Sequence, residues 1–310
     1  MSNTYPKSGL HVLITGGSGM IGKYLTSLLL EKGYSVSHLS RKQDQFGRVR
    51  VYRWDPEKGI IDPSLFQGVD HIIHLAGANI GESRWTSKRK EEIVRSRVDS
   101  SNLLYRTIHE NGIQLKTFIS ASAVGYYGSA TTDKIYEETD QPGSDFLAKT
   151  CIQWEETAEK FEKSDIRTVK VRTAVVLEKS DSALSRLMMP AKFGFLVHTG
   201  NGRQYMPWIH IMDLCNIYLK AIEDQTLSGA YNAVAPQHVT HKEFVKTLAQ
   251  VMGKPVFPVP VPGPLLRGAL GEMSDVVLKG SRVSSEKIQN TGYKFIFPDL
   301  ESALSDAIKD

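Results

Sequence analysis

The stretch Val12-Leu13-Ile14-Thr15-Gly16-Gly17-Ser18-Gly19-Met20-Ile21-Gly22 constrains this chain more than any other. Val12 to Thr15 are apolar or β-branched, which suits a strand covered on both faces. The apolar spacing through Leu25, Leu28 and Leu29 then predicts a helix. Between the two lie Gly16, Gly19 and Gly22, three residues apart. In a strand–turn–helix of this kind, one glycine permits the tight turn and one lets backbone approach a pyrophosphate. The third lets helix and strand pack closely. Free amides and the positive dipole end of the helix face the ligand's phosphates. The expected cradle therefore comprises Gly16, Ser18, Gly19, Met20, Ile21 and Gly22, and its ligand is a dinucleotide.

The residues at the end of the second strand choose between dinucleotides. That strand is expected over Ser35 to Ser40, after a helix stopped by Gly33. In dinucleotide folds an acidic residue near its end holds the adenosine ribose hydroxyls of NAD. Here the chain reads Ser40-Arg41-Lys42. A guanidinium and a hydroxyl bind a 2′-phosphate that a carboxylate would repel. Asp44 is close by, but past the strand end and near a cation, so the expected cofactor is NADP (NADPH).

Strand and helix then alternate. Strands are predicted over Val49–Trp54, His71–Leu75, Lys116–Ala121 and Thr168–Leu177. Long helices are predicted over Thr86–Asn111 and Ser144–Lys163. This rhythm predicts an α/β, Rossmann-type, doubly wound parallel sheet. Ala76-Gly77 after the fourth strand is small enough to let backbone lie against the adenine and ribose. His71 and His74, three apart on a strand, point to opposite faces, which argues against a shared metal.

From Glu178 the pattern changes. A helix is expected over Ala183–Phe193, then a loop at Gly200 to Gln204, then a short strand feeding a helix to Ile222. Gly229 to Asn232 reads as a strand returning to the main sheet. Thr240 and Glu243 form a capping box, and the proline-rich run Lys254 to Pro264 reads as a rigid, extended connector. Amphipathic helices are expected near Leu265–Leu278 and Asp299–Ile308. The expected division is a cofactor-binding domain at 1–177, with a returning segment at about 206–233. A smaller C-terminal α/β substrate domain is expected at 178–205 and 234–310.

The net charge is only +4, and the densest basic cluster, Lys88-Arg89-Lys90, runs into Glu91-Glu92. It reads as a solvated helix face and not as a nucleic-acid patch. No apolar run approaches the ~18 residues of a membrane span, and the N-terminus lacks the apolar core of a signal peptide. Cys151 and Cys215 lack metal-type spacing and suit a reducing compartment, both packed inside. A soluble, cytoplasmic protein is expected, monomer or homodimer.

These residues resemble the extended short-chain dehydrogenase/reductases, the NAD-dependent epimerase/dehydratase family. The resemblance rests on Thr15 to Gly22, His74-Leu75-Ala76-Gly77, Tyr127-Gly128, Gly200 to Gln204 and Ile209 to Asp213. Ser120 to Gly128, Asp145-Phe146-Leu147, Trp154-Glu155, Pro207 to His210 and Thr291 to Phe295 resemble an atypical branch, the epimerase family proteins (family 39U). The resemblance spans about residues 10 to 308. It implies an NADP-dependent oxidoreductase or epimerase-like activity on an unknown small carbonyl or sugar-derived substrate. It also implies cofactor contacts from Ser40, Arg41, Leu75, Ala76, Gly77, Glu92, Arg97 and Val176. Arg97 stands where the wider superfamily usually has asparagine. An arginine there reaches phosphate or ribose, or else forms a surface ion pair with a neighbour such as Glu92.

The superfamily's chemistry needs a Tyr-x-x-x-Lys pair on the helix after the fifth strand. The lysine and the nicotinamide ribose lower the tyrosine pKa, and the tyrosine moves the proton. No tyrosine on that helix precedes a lysine by four residues, and Lys149 has Asp145 four back, a helix ion pair. Aligning on Glu155 puts Leu147 and Cys151 at the pair's places. Ser122 is placed as the serine that hydrogen-bonds a substrate oxygen. Tyr126 and Tyr127 are the nearest phenols, each able to stand in as acid or to shape the site by packing. His210 with Asp213 makes a dyad on paper, better read as support for the domain junction, and His238 and His241 read as structural. Hydride transfer belongs to the cofactor, so losing the relay slows the chemistry without forbidding it. A non-catalytic NADP-binding sensor or interaction protein is the alternative.

Overall fold

The computed structural model describes residues 9–42, 47, 49–179, 183–189, 195–253 and 257–309. The turn-flanked apolar runs form β1 (His11–Thr15), β2 (Ser35–Ser40), β3 (Arg50–Arg53), β4 (His71–His74), β5 (Thr117–Ala123) and, after a short β6 (Ile135–Tyr136), β7 (Arg167–Thr173). With β11 (Gly229–Ala233), all but β6 build a seven-stranded parallel sheet in the order β11-β7-β5-β4-β1-β2-β3. The order reverses between β1 and β4, so their carboxyl ends flank the crevice where such sheets bind ligands.

Helices α1 (Met20–Glu31), α2 (Ser87–Glu110), α3 (Phe146–Glu162) and α5 (Ile211–Glu223) flank the sheet. Its two faces carry separate apolar cores. Leu25, Leu29, Ile73 and Tyr218 lie on one, and Leu13, Ile72, Leu104, Phe118 and Phe161 on the other. Phe118 and Phe161 stack at 3.7 Å between centroids. This is a Rossmann-like α/β fold, as the strand–helix rhythm predicts.

Past β7 the chain forms β8 (Val175–Leu177), α4 (Ala183–Met188), β9 (Phe195–Thr199) and β10 (Trp208–His210). Beyond β11 it continues with α6 (His241–Met252), β12 (Phe257–Val261), α7 (Gly263–Leu270), α8 (Asp275–Leu278), β13 (Arg282–Val283), α9 (Glu286–Asn290) and α10 (Leu300–Ala307). A third core, with Leu184, Trp208, Phe244, Leu248 and Leu304, belongs mostly to this region.

Two expectations change. The sixth strand is not continuous: it breaks at Ala174, whose amide donates to the Ala233 carbonyl, and Val175 then donates to Pro207. β8 leaves the main sheet to pair in parallel with β10. The proline-rich connector contains a strand, because β12 pairs in parallel with β9. Pro258 and Pro260 alternate along it, so both missing amides fall on one edge and the other edge remains free to pair. The capping box at Thr240 and Glu243 forms as expected. Asp44, residues 190–193 of the expected helix, and 254–256 of the proline-rich run lie outside the described residues.

Candidate functional site

The glycine turn seats directly on the end of β4. Gly16 has φ +71, and a Cβ there would meet the Ala76 amide and the Leu75 carbonyl carbon at 3.1 Å. Gly22 is closed from the other side, since its Cβ would stand 2.6 Å from the Gly16 carbonyl oxygen. Thr15 completes the joint. The amides of Leu75 and Ala76 donate to its Oγ1 at 3.1 Å each, so its own proton goes to His74 Nδ1 at 2.8 Å. His74 then donates from Nε2 to Ser100 Oγ, which donates to the Ser96 carbonyl. This buried chain ties β1, β4 and α2 together beneath the crevice.

The start of α1 is open. Gly19 is its N-cap, no side chain among the described residues caps it, and its first turn holds no carboxylate. Ser18 and Gly19 are exposed or nearly so, and Met20 and Ile21 are half-buried. An uncapped helix start beside a positive-φ glycine is a ready anion site. At the end of β2, Ser40 Oγ accepts from the Lys42 amide at 3.2 Å, and Arg41 is exposed.

Leu75 and Ala76 are half-buried and Gly77 is exposed at the β4 end. Arg97 lies against Gly77, its Cζ 3.0 Å from where a Cβ would be. Of the two partners expected for Arg97, a ligand or Glu92, the ion pair with Glu92 does not form. Glu92 is exposed and pairs with Arg89 at 2.8 Å. Arg97 donates to the Ile93 carbonyl at 2.9 Å and lies 5.0 Å from the Trp154 ring centroid. Val176, an implied cofactor contact within the expected sixth strand, lies inside β8 opposite Ile209.

The three candidate catalytic residues meet around a cation that no sequence motif marks. Arg172 lies opposite Ser122 in the β5–β7 register. Its Nε and Nη2 each donate to Glu155 at 2.8 Å, and its Nη1 donates to Tyr127 Oη at 3.0 Å. Ser122 donates to Glu155 at 2.7 Å, and Tyr127 donates to Asn232 Oδ1 at 2.7 Å. All five side chains are buried. Burial opposes the charge on Arg172, but the Glu155 carboxylate more than offsets it and holds the guanidinium above its ordinary pKa. Burial pushes the Tyr127 phenol up to about 12. Tyr126 differs: it is half-buried, and its ring lies 3.5 Å from the Arg172 Cζ. Its hydroxyl has no hydrogen-bond partner among the described residues.

Leu147 and Cys151 pack toward Gly125, 3.4 Å and 3.9 Å from its hypothetical Cβ. Burial pushes the Cys151 thiol up to about 12, and both cysteines are free and buried. Asp145 forms no ion pair with Lys149 among the described residues. It caps α3, accepting from Ala148 at 2.9 Å and from Ser129 at 2.7 Å.

His210 and Asp213 are not a dyad. His210 Nδ1 accepts from Met212 at 3.3 Å and its Nε2 lies 3.3 Å from Asp306. Asp213 accepts from Tyr293 Oη and the amides of Ile296 and Phe297, which anchors the C-terminal segment. Asp213→Ala is expected to cost about 2–4 kcal/mol. It would appear as a lower urea midpoint, and an unchanged midpoint would remove the anchoring role. His238 Nε2 lies 3.0 Å from the Val283 carbonyl, and His241 opens α6, buried. Among the described residues no group of three or more His, Cys, Asp or Glu could hold a metal. No helix among them is long and apolar enough to cross a membrane.

An all-parallel sheet with a glycine cradle at its switch point defines a nucleotide-dependent α/β protein, and similarity to known proteins places it further. The model of the NAD dependent epimerase/dehydratase family matches residues 12–233, and a domain of unknown function, DUF1731, matches 261–307. The chain belongs to the NAD-dependent epimerase/dehydratase family, among the epimerase family proteins of the SDR39U1 type. Epimerase family protein YfhF of Bacillus subtilis is 36% identical over 303 residues, 97% of this chain and 99% of the relative. Human epimerase family protein SDR39U1 is 33% identical, covering 96% of this chain and 100% of its own length. The crystal structure of human SDR39U1 (isoform 2) with NADPH superposes with a TM-score of 0.85 at 30% identity, covering 96% and 99% of the two chains. A UDP-glucuronic acid 4-epimerase from Bacillus cereus, at 19% identity and TM-score 0.78, shares the fold.

Proposed function

We propose that this chain binds NADP(H) and acts as an oxidoreductase or epimerase-like enzyme on a small carbonyl or sugar-derived substrate, without a Tyr-x-x-x-Lys pair. The observation that carries this reading is the uncapped start of α1, seated by Gly16 on the β4 end. The NADPH held by human SDR39U1 supports the same choice. Residues 1–177 with the returning segment 206–233 hold the cofactor. Residues 178–205 and 234–310, which contain most of the third core, cover the substrate.

In this reading Arg41 and Ser40 receive the 2′-phosphate. Arg41→Ala is expected to weaken NADP binding roughly 10- to 100-fold while leaving NAD nearly unchanged. Fluorescence titration with both cofactors checks it, and equal weakening would sink the 2′-phosphate assignment. Of the two phenols, Tyr126 is the better proton donor, since Tyr127 is committed to Asn232. Incubation with NADPH and a carbonyl panel, followed by absorbance of the reduced nicotinamide, tests turnover. Tyr126→Phe should abolish it.

A second reading is a non-catalytic NADP-binding sensor. It is favoured by the commitment of Ser122 to Glu155 and by the packing of Leu147 and Cys151 where the relay would stand. Tight NADPH binding without turnover on any substrate, and no effect of Ser122→Ala, would select it.

A further inference from the structure

Gly17 is the glycine of the turn that the three-residue spacing leaves unexplained. Gly16, Gly19 and Gly22 carry that spacing, and Gly17 stands outside it. Its backbone does not require glycine, because its φ is not positive. Space requires it. A Cβ on Gly17 would lie 2.5 Å from Cγ, Nδ1 and Cδ2 of His38, whose ring is buried in β2.

The ring is itself tied back to the turn. Thr26 Oγ1 donates to the Gly22 carbonyl at 2.6 Å, so it accepts from His38 Nε2 at 2.8 Å. Gly22 closes on Gly17 from the α1 side, where a Cβ would stand 2.6 Å from the Gly17 Cα. Gly17 is thus held between two walls, the His38 ring and Gly22, and Thr26 joins them. A leucine at position 38 would fill space but could not bond to Thr26. Burial lowers the His38 pKa to about 4, so at neutral pH the ring offers a shape and not a charge. The turn's own hydrogen bond, from the Gly19 amide to the Gly16 carbonyl at 3.0 Å, spans residues 17 and 18. A shift of Gly17 therefore shifts the Gly19 N-cap and the open start of α1.

We infer that His38 is a positioning residue of the phosphate cradle, the floor that holds Gly17 and through it sets where the open start of α1 meets a pyrophosphate. This role rests on the NADP(H) reading above, and it concerns the part that NADP and NAD share. Ser40, two residues on and on the same face of β2, belongs to the 2′-phosphate side of that reading. The two roles are therefore separable by ligand.

A double-variant cycle read by fluorescence titration with NADPH tests the role. Gly17→Ala is expected to weaken NADPH roughly 10- to 100-fold, since its methyl must displace the ring or the turn. His38→Ala removes the floor and should weaken it roughly 10-fold. In the His38→Ala background, Gly17→Ala should cost less than about twofold, because the methyl enters vacated space. His38→Gln keeps an N–H for Thr26 and should recover part of the His38→Ala loss. NADH carries the same pyrophosphate without the 2′-phosphate and should lose affinity by the same factors. Circular dichroism shows whether each variant is folded. If His38→Ala is not, His38→Gln takes its place in the cycle, because its flexible end can yield to the methyl and the cost of Gly17→Ala should again shrink.

An equal cost of Gly17→Ala in both backgrounds would overturn the inference. So would a loss confined to NADPH, which would make His38 a support of Ser40, and unchanged binding in the His38 variants, which would reduce the ring to core packing. If the unmodified chain binds neither cofactor, the NADP(H) reading falls and takes the inference with it. Binding with an additive cycle overturns the inference alone.

Discussion

Lowering the pH from 7 toward 4 is expected to unfold this protein cooperatively, with stability already falling above the range where most carboxylates titrate. His38, His71, His74 and His241 are buried, and burial lowers each from 6.5 to about 4. The unfolded chain takes up these protons near pH 6.5, whereas the folded chain resists until about 4. Within that window the unfolded state binds more protons, so stability present above pH 6.5 is lost as the pH falls through 4. Each histidine is worth roughly 3 kcal/mol at about 1.4 kcal/mol per pKa unit. Four together reach on the order of 10 kcal/mol, comparable with the whole stability of a typical domain. His74 has most to lose, because a second ring proton would face the Thr15 hydroxyl that already donates to it. Urea midpoints by circular dichroism at pH 7, 6, 5 and 4.5 measure the effect. A flat midpoint between pH 6.5 and 4.5 would refute it.

Arg172→Met is expected to be the most damaging single substitution in the site. It strands the Glu155 carboxylate in the interior with Ser122 as its one remaining donor among the described residues, and removes the bond to Tyr127. Breaking one side of a buried ion pair costs about 3–5 kcal/mol. For a chain of this size that lowers the melting temperature by roughly 10 °C. Replacing Glu155 by Met as well removes the stranded charge, so the double variant should be more stable than Arg172→Met alone. A double variant no better than Arg172→Met would mean that packing, not charge, dominates at this junction.

How far the sequence reaches depends on the range of the interaction. β2 forms over the residues expected for it, and the Thr240–Glu243 box forms, because both are local patterns of period and capping. The break at Ala174 is invisible, since Val175-Val176-Leu177 continues an apolar run, and only the Ala233 and Pro207 carbonyls reveal that two partners compete for it. Pro258 and Pro260 fit a connector equally well, and only pairing with β9 makes their alternation meaningful. Arg172 is hidden for the same reason. It reads as one more polar residue in a strand, while its partners lie 17 and 45 positions earlier. Those partners are legible as Glu155 and Tyr127, but the cation joining them is not.

The divided strand at Ala174 also bears on how a ligand could enter. The chain crosses from the large sheet to the β8–β10 ribbon there, and crosses again where Ala235 donates to Trp208. Two adjacent crossings share one hydrogen-bonded seam, so neither can act as a swinging hinge without tearing the other. A ligand entering at the strand ends therefore meets a seam in which motion at one crossing has to carry the other with it.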